Sequence, residues 1–380
     1  MSEIVLEPLQ SRSEGPPLGN YGNRATTPGQ RVVGRSERHL LKRAQRQLTD
    51  SISSRLCFFA SGPVVTVSVG LLGVAHVSGV RHCGSPWSCP ICAPVIRERR
   101  ASEVDQGVSA HLAGGGGALF VTATGPHHFG DPLEPLLAVM STCVHSWTKG
   151  RSWLRLRDEL GYVGAIRALD ITYGDANGWH PHAHALLLFG APVVAEAVEA
   201  VRSHVFGAHQ RAVRKAGFGA LHPVHGVDVR PVFDASELSA YVAKVEGGWG
   251  VGLELARGDL KWKGATAFDL LRRCAEGELG QVVALWSEYE RAVFGKRFMV
   301  WSAGLRRRLL PELVEVDDEE AARLEGEDEA IVTVAIEARE WAVYCRMGQV
   351  GEVLRLIEED AVSAMRRAGL LPGVEVEEVA

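Results

Sequence analysis

Imidazoles alternate with other side chains over Trp179-His180-Pro181-His182-Ala183-His184, and the apolar run Ala185-Leu-Leu-Leu-Phe189 follows. Alternation with a period of two marks a β-strand, in which side chains at i and i+2 share one face. His182 and His184 therefore stand together, placed to meet one metal ion. His180 joins them if the strand reaches back past Pro181, which has no amide hydrogen for a ladder. The stretch Gly174-Asp-Ala-Asn-Gly178 is short enough for a hairpin turn, so residues 165–173 pair antiparallel with 180–189. Asp170 on the first of these strands either supplies a hard oxygen to the metal or orients a histidine from behind it.

Pattern assigns the neighbouring elements. Ala118–Thr124 reads as a strand after the glycines 114–117, Leu133–Lys149 as a helix, Ala191–Ala216 as a helix and Val224–Val232 as a strand. Ala235–Val245 reads as a further helix. This order predicts an α+β fold, a central antiparallel sheet with helices packed on one side. Around that core, residues 111–275, lie a disordered leader (1–30), a metal-binding module (31–110), a basic helical segment (276–311), an acidic linker (312–330) and a helical C-terminal appendage (331–380). Within the module, Val64–Val69 and Gly73–Val80 read as a hairpin and Pro94–Gln106 as helix.

On the helix 235–245, Glu237, Tyr241 and Lys244 fall at helical spacing on one side. A neutral phenol, with a pKa of about 10, is a poor nucleophile. A lysine cation one turn away lowers that pKa or stabilises charge on a phosphoryl transition state. Glu237 is placed to activate water or a 3′-hydroxyl. The set reads as a metal-assisted tyrosine nucleophile, and alone it equally describes an amphipathic helix with a buried tyrosine. Tyr173, at the hairpin end, is the competing phenol. His127 and His128 either rim the site and contact DNA or form a polar turn.

Seven cysteines is an odd number, and Cys83-x5-Cys89-Pro-Ile-Cys92 packs three into ten positions. The spacing suits tetrahedral Zn2+ in a reducing, cytoplasmic setting rather than disulfides. The fourth ligand is Cys57 or His82. Cys57 is favoured, because a residue adjacent to Cys83 often cannot face the same ion.

Charge is divided unevenly. The last 70 residues carry 19 acidic and 6 basic side chains, whereas residues 1–310 carry 35 basic and 27 acidic. A basic body with an acidic tail remains able to bind a polyanion, so the net charge of −5 does not exclude nucleic acid. Arg306, Arg307 and Arg308 are candidate DNA contacts. The basic stretch 31–50, with Arg35, Arg38, Lys42, Arg43 and Arg46, is either a solvated helix or a phosphate-contacting one. No apolar run is long enough for a membrane helix, and residues 1–30 lack the pattern of a signal peptide. A metalloprotease His-Glu-x-x-His helix and the zinc-deaminase signature are both missing.

Together these motifs resemble the rolling-circle replication initiators of the HUH endonuclease superfamily, especially those of actinobacterial plasmids and integrative elements. The similarity rests on Cys83-Gly-Ser-Pro-Trp-Ser-Cys-Pro-Ile-Cys92, Phe120-Val-Thr-Ala-Thr124, His180-Pro-His-Ala-His184 and Glu237 with Tyr241-Val-Ala-Lys244. Gly295-Lys-Arg-Phe-Met-Val-Trp-Ser-Ala-Gly-Leu305 is also similar to actinobacterial members, and the likeness spans roughly residues 50–310. It implies an HUH/RRM-like nuclease core with catalytic Mg2+ or Mn2+ and structural Zn2+. It also implies single-stranded or cruciform origin DNA as partner, nicking that leaves a 5′-phosphotyrosine, a host helicase and a DNA polymerase. The oligomeric state is monomer or dimer. A conjugative relaxase or transposase of the same superfamily is the nearest alternative, and a zinc-stabilised non-enzymatic DNA-binding regulator the more distant one.

Overall fold

A computed structural model describes residues 28–233, 266–323 and 330–367. The chain divides into two compact units, one of residues up to 96 with 271–278 and 316 onward, the other of 97–270 with 279–315. The expected helix 235–245, and with it Glu237, Tyr241 and Lys244, lies outside the described residues. Among the described residues, no helix is long and apolar enough to cross a membrane.

The first unit is built on a three-stranded antiparallel sheet in the order β2 (Ala75–Ser78), β1 (Val64–Val69), β8 (Val332–Glu337). In β1, Val65, Val67 and Val69 are buried, the alternate positions of a sheet with one covered face. The helices α11 (Ala338–Met347) and α12 (Val350–Arg367) pack on the sheet, and α1 (Pro28–Leu48) packs on those two helices. Their Leu41, Trp341 and Leu354 are buried, and the Trp341 indole donates to the Phe58 carbonyl at 2.8 Å. The sequence pattern predicts a helical appendage over 331–380. Its first residues are instead a strand, because Val332-Thr-Val-Ala-Ile-Glu337 alternates with period two and β1 offers a free edge. Helices occupy the remainder. Within the expected acidic linker, Asp318–Arg323 forms the short helix α10.

The basic stretch of α1 is neither a solvated face nor a row of open cations. Lys42 is fully buried, Arg35 makes a two-pronged bond to Glu358, and Arg46 donates to the carbonyls of Cys57 and Cys345.

The second unit holds a five-stranded antiparallel sheet, in the order β6 (Val227–Pro231), β3 (Gly117–Thr124), β5 (Gly178–Phe189), β4 (Tyr162–Gly174), β7 (Met299–Trp301). The β4–β5 hairpin turns through residues 175–177 and opens into β5 at Gly178, whose φ of 76° suits glycine. β5 lies at the centre of the sheet. One face of it, carrying Ala183, Ala185 and Leu187, packs with Leu119 and Val121 against α4 (Leu133–Trp147), α5 (Arg151–Glu159) and α6 (Ala195–Lys215). The opposite face is also partly covered, a correction to the one-sided packing expected. There Leu186 and Leu188 meet Phe120 and Ile166 beneath Val104 and Val108 of α3 (Cys92–Ala113) and Leu305 of α9 (Leu305–Leu309). Each buried leucine favours that cover by roughly 1.5–3 kcal/mol. In the segment 276–311, expected to be helical, α8 (Gln281–Val293), which follows α7 (Ala267–Ala275), ends before Gly295, φ 69°. Met299–Trp301 then closes the exposed edge of β4 as β7.

Candidate metal centres and the histidine face

Four cysteines converge in the first unit. Cys57 ends the short helix α2 (Ile52–Leu56), Cys83 follows β2, and Cys89 with Cys92 opens α3. Their sulfurs all lie within 4.8 Å of one another. The separations are 3.7 Å for Cys57–Cys89, 3.5 Å for Cys57–Cys92 and 3.9 Å for Cys83–Cys92. Disulfide sulfurs would sit at about 2.05 Å. A tetrahedral ion with bonds of about 2.3 Å would instead separate its sulfurs by about 3.8 Å. The cluster is thus able to hold a metal ion, and its all-thiolate donors with tetrahedral spacing fit zinc. His82 Nδ1 lies 3.8 Å from Cys92 Sγ and is not one of the four.

A cation accompanies the thiols. Lys42 Nζ donates to Gln45 Oε1 at 2.6 Å and lies 3.4 Å from both Ser54 Oγ and Cys89 Sγ. Gln45 Nε2 in turn donates to Ser54 Oγ at 2.8 Å. Burial opposes ionisation of Cys89, but hydrogen bonds from Cys57, Cys83 and Cys92, with the Lys42 ammonium, hold its thiol well below the ordinary range. Sequence reasoning passed over Lys42 as one more basic residue of the helix. The only signal for it is its place beside Leu41 on the apolar side, three residues before Gln45.

In the second unit, His180, His182 and His184 occupy one face of β5, the continuation of the face that carries Leu186 and Leu188. Cross-strand register sets Asp170 of β4 and Thr124 of β3 on either side of His182, and Thr122 beside His184. Imidazole centroids are 4.0 Å apart for His180–His182 and 6.2 Å for His182–His184. His127 stacks on His180 at 4.2 Å, which brings the loop after β3 to the same place. The Thr124 hydroxyl is 2.6 Å from His180 Nε2, and the Thr122 hydroxyl 3.2 Å from His184 Nδ1. These two threonines alternate in Phe120–Thr124, and period-two spacing alone would have marked them as facing the imidazoles.

Burial holds all three imidazoles neutral. With neighbouring rings contributing, His180 falls to about 3, His182 to about 4 and His184 to about 3. Burial raises Asp170 to about 6, while the guanidinium of Arg97 on α3 pulls the other way. Neutral rings keep a lone pair available, and Asp170 adds a carboxyl group on the same face. Among the described residues, the four cysteines are the sole group of three or more such side chains whose ligand atoms meet within 4.8 Å. The histidines and Asp170 share a face at wider spacing.

The other expected residues are placed as follows. Arg306 Nη2 bonds Glu103 Oε1 at 2.7 Å, so it turns inward, and Arg307 and Arg308 are exposed. His128 is exposed, its backbone amide bonded to Asp131 Oδ2. Tyr173, the rival phenol, is buried edge-on against Trp179 at 5.0 Å.

Comparison with known proteins gives two relatives. "Protein rep" of Streptomyces lividans is 32% identical over 311 residues, 66% of this chain and 68% of that protein. "Neomycin resistance protein" of Streptomyces cyanogenus is 32% identical over 142 residues, 31% of this chain and 32% of that protein. No family model matches the chain, and no solved structure matches it significantly.

Proposed function

The chain belongs to the Rep family represented by the Streptomyces lividans protein, and from that membership we propose that it is an HUH-type endonuclease and strand transferase that initiates rolling-circle replication. One observation carries the reading. Three neutral imidazoles share a face of the central strand of a five-stranded antiparallel sheet, with Asp170 directly across from His182. A DNA-binding regulator would have no use for that donor set.

His182 and His184, with His180 and Asp170 beside them, would hold Mg2+ or Mn2+. When bound, that cation would supply polarisation of the scissile phosphate. Tyr241 is the nucleophile. Its oxygen forms a bond to phosphorus as the P–O3′ bond breaks, and the phenolic proton ends on the departing 3′-oxygen. The 5′-phosphate remains on the tyrosine and a free 3′-hydroxyl is released. Lys244 stabilises the phenolate and the charge that builds on the phosphoryl oxygens. Attack by a later 3′-hydroxyl reverses the step and joins strands without ATP, and Glu237 acts as the base for that resolution.

The four cysteines, with zinc, would serve a structural role in the first unit.

The test uses full-length protein with Mn2+ and single-stranded oligonucleotides tiled across the origin of the element that encodes it. Wild type should yield a covalent protein–DNA adduct with a free 3′-end. Tyr241→Phe should bind and not cut. Undiminished cutting by Tyr241→Phe would reject the nucleophile, and binding without any wild-type adduct would favour the regulator. A substrate at element ends or a transfer origin, rather than a replication origin, would favour the transposase or relaxase.

A further inference from the structure

Between α4 and the β4–β7 edge of the five-stranded sheet lies a cavity of about 370 Å3. Pockets that enclose small ligands begin near roughly 300 Å3, so the space suits one nucleotide. Its floor is apolar, from Leu137 and Val144 on α4 and Val300 on β7. Its charge is of one sign. Arg167 from β4, and Lys296 with Arg297 from the loop before β7, line it, and no carboxylate does. Arg167 is held by a 2.9 Å bond to Thr148 Oγ1 at the end of α4. In the strand register Arg167 faces Val300, while its neighbour Ala168 faces His184. The pleat therefore turns Arg167 and Val300 to the α4 side, away from the imidazoles.

An apolar floor beneath several cations is the chemistry of a base lying under its phosphate. We propose that this cavity grips one nucleotide of single-stranded DNA, with the base on Leu137, Val144 and Val300 and the phosphate on Arg167, Lys296 and Arg297. The inference rests on the strand-nicking reading for its ligand and adds a contact remote from the reacting atoms. β7 has three residues and is the edge of the sheet. A strand held at the imidazoles reaches the α4 side by rounding that short edge. The cavity is then an anchor that sets which length of strand is held, and it gives the Gly295–Leu305 motif a task.

The same chemistry is met by a free nucleoside triphosphate, so the test has two arms. Full-length Tyr241→Phe is titrated with a fluorescein-labelled origin oligonucleotide, and separately with a fluorescent dATP analogue. The expected result is oligonucleotide binding whose salt slope falls by up to about 0.7 in Lys296→Ala/Arg297→Ala, the value for one phosphate contact on a single strand. Ala138→Trp, which fills the cavity from α4 and keeps every cation, should weaken binding about tenfold with the slope unchanged. Ser141→Trp serves the same purpose if that variant fails to fold. Photocrosslinking through 5-iodouracil should label peptides within 137–145 or 295–300.

Full binding by a folded, plugged variant, or crosslinks confined to other peptides, would overturn the proposal. So would saturable binding of the dATP analogue with no strand crosslink, which would reassign the cavity to free nucleotide. A covalent adduct that forms normally when Ala138→Trp is placed in protein with Tyr241 intact, with unchanged binding, sinks this inference and leaves the nickase standing. Crosslinks at the cavity with no adduct from wild type do the reverse.

Discussion

The ammonium of Lys42 lies 3.4 Å from the sulfur of Cys89, and neither side chain is exposed to solvent. Four thiolates around Zn2+ carry two net negative charges, and a buried cation in contact with one sulfur reduces that to one. An ion pair of this kind is strongly destabilising when one partner is removed, and partners behind metal ligands commonly change metal affinity 10–100-fold. Lys42→Met should therefore weaken zinc affinity by about that factor, and Lys42→Arg should recover part of it. Chelator competition measures the affinity, and Co2+ substitution reports through its thiolate absorption bands. Unchanged affinity in Lys42→Met would show that the four cysteines hold the ion without electrostatic help.

The ligand set itself makes a second prediction. Cys57→Ser should lower zinc content and destabilise the first unit, because binding energy at a closed structural site is also folding energy. His82→Ala should leave one zinc per chain, since His82 stands beside Cys92 rather than among the four sulfurs. Metal analysis of the purified variants, with thermal melts, separates them. Full zinc in Cys57→Ser together with loss in His82→Ala would exchange the two assignments.

Buried charge in the other unit separates the three consecutive arginines. Glu103 is 3% exposed and accepts from Arg100 at 2.9 Å and Arg306 at 2.7 Å. Glu103→Ala leaves two largely buried guanidiniums without their carboxylate and should destabilise by about 3–5 kcal/mol. Arg307→Ala and Arg308→Ala remove exposed side chains and should stay within about 0.5 kcal/mol of wild type. Urea unfolding ranks the variants. Should Arg307→Ala/Arg308→Ala also lower the salt slope of DNA binding, those two remain DNA contacts while Arg306 serves the fold.

Alternation and turn chemistry made the site face legible. The period-two imidazoles, the short Gly174–Gly178 turn and the antiparallel partner with Asp170 follow from rules local to some thirty residues. Three cysteines within ten positions announced a metal cluster in the same way. What stayed hidden depends on contacts distant in sequence. Val332–Glu337 has a strand's alternation, but it sits in an acidic region more than 260 residues from β1, and nothing local names that partner. Arg306 reads like Arg307 and Arg308 until Glu103 is found beneath it. Lys42 reads as a surface cation until Cys89 is found beside it. The cover over Leu186 and Leu188 was implied by their apolar character, yet the helices that supply it come from both ends of the core. Charge and hydropathy tell which residues need a partner, and only the fold tells which partner they meet.

A pH effect on stability follows from His209. It is fully buried on α6, and the Trp147 indole donates to its Nδ1 at 3.1 Å, an arrangement that requires a lone pair there. Burial lowers its pKa to about 4, against about 6.5 in an unfolded chain. Above pH 6.5 both states are neutral at this site and the ring places no penalty on folding. As pH falls from about 6.5 to 4, the unfolded chain takes a proton that the folded one refuses, so stability falls by up to about 1.4 kcal/mol per unit. His209→Gln keeps an acceptor for Trp147 and does not titrate. The difference in urea-unfolding free energy between wild type and variant should be flat above pH 7 and shift against wild type between pH 6.5 and 4. A pH-independent difference would mean the imidazole takes up its proton equally well in the folded and unfolded states.

Asp170 has two possible offices, oxygen donor to a cation or orienter of a ring, and its substitutions distinguish them. Asp170 stands across from His182 in the strand register, with Arg97 as its charged neighbour. As a donor, its carboxylate charge is what counts, so Asp170→Asn should weaken Mn2+ binding by more than the roughly 10–100-fold that loss of a partner behind a ligand costs, and Asp170→Glu should keep part of it. As an orienter, Asn retains an acceptor of the same shape, and Mn2+ affinity should change little. His182→Ala should abolish binding in either case, and Arg97→Met should raise the carboxyl pKa without removing the oxygen. Calorimetry or the Mn2+ electron-spin signal in Tyr241→Phe protein reads the affinity free of any cleavage. Retained affinity in Asp170→Asn would move the hard-oxygen role away from β4 and leave the imidazoles as the donors on this face.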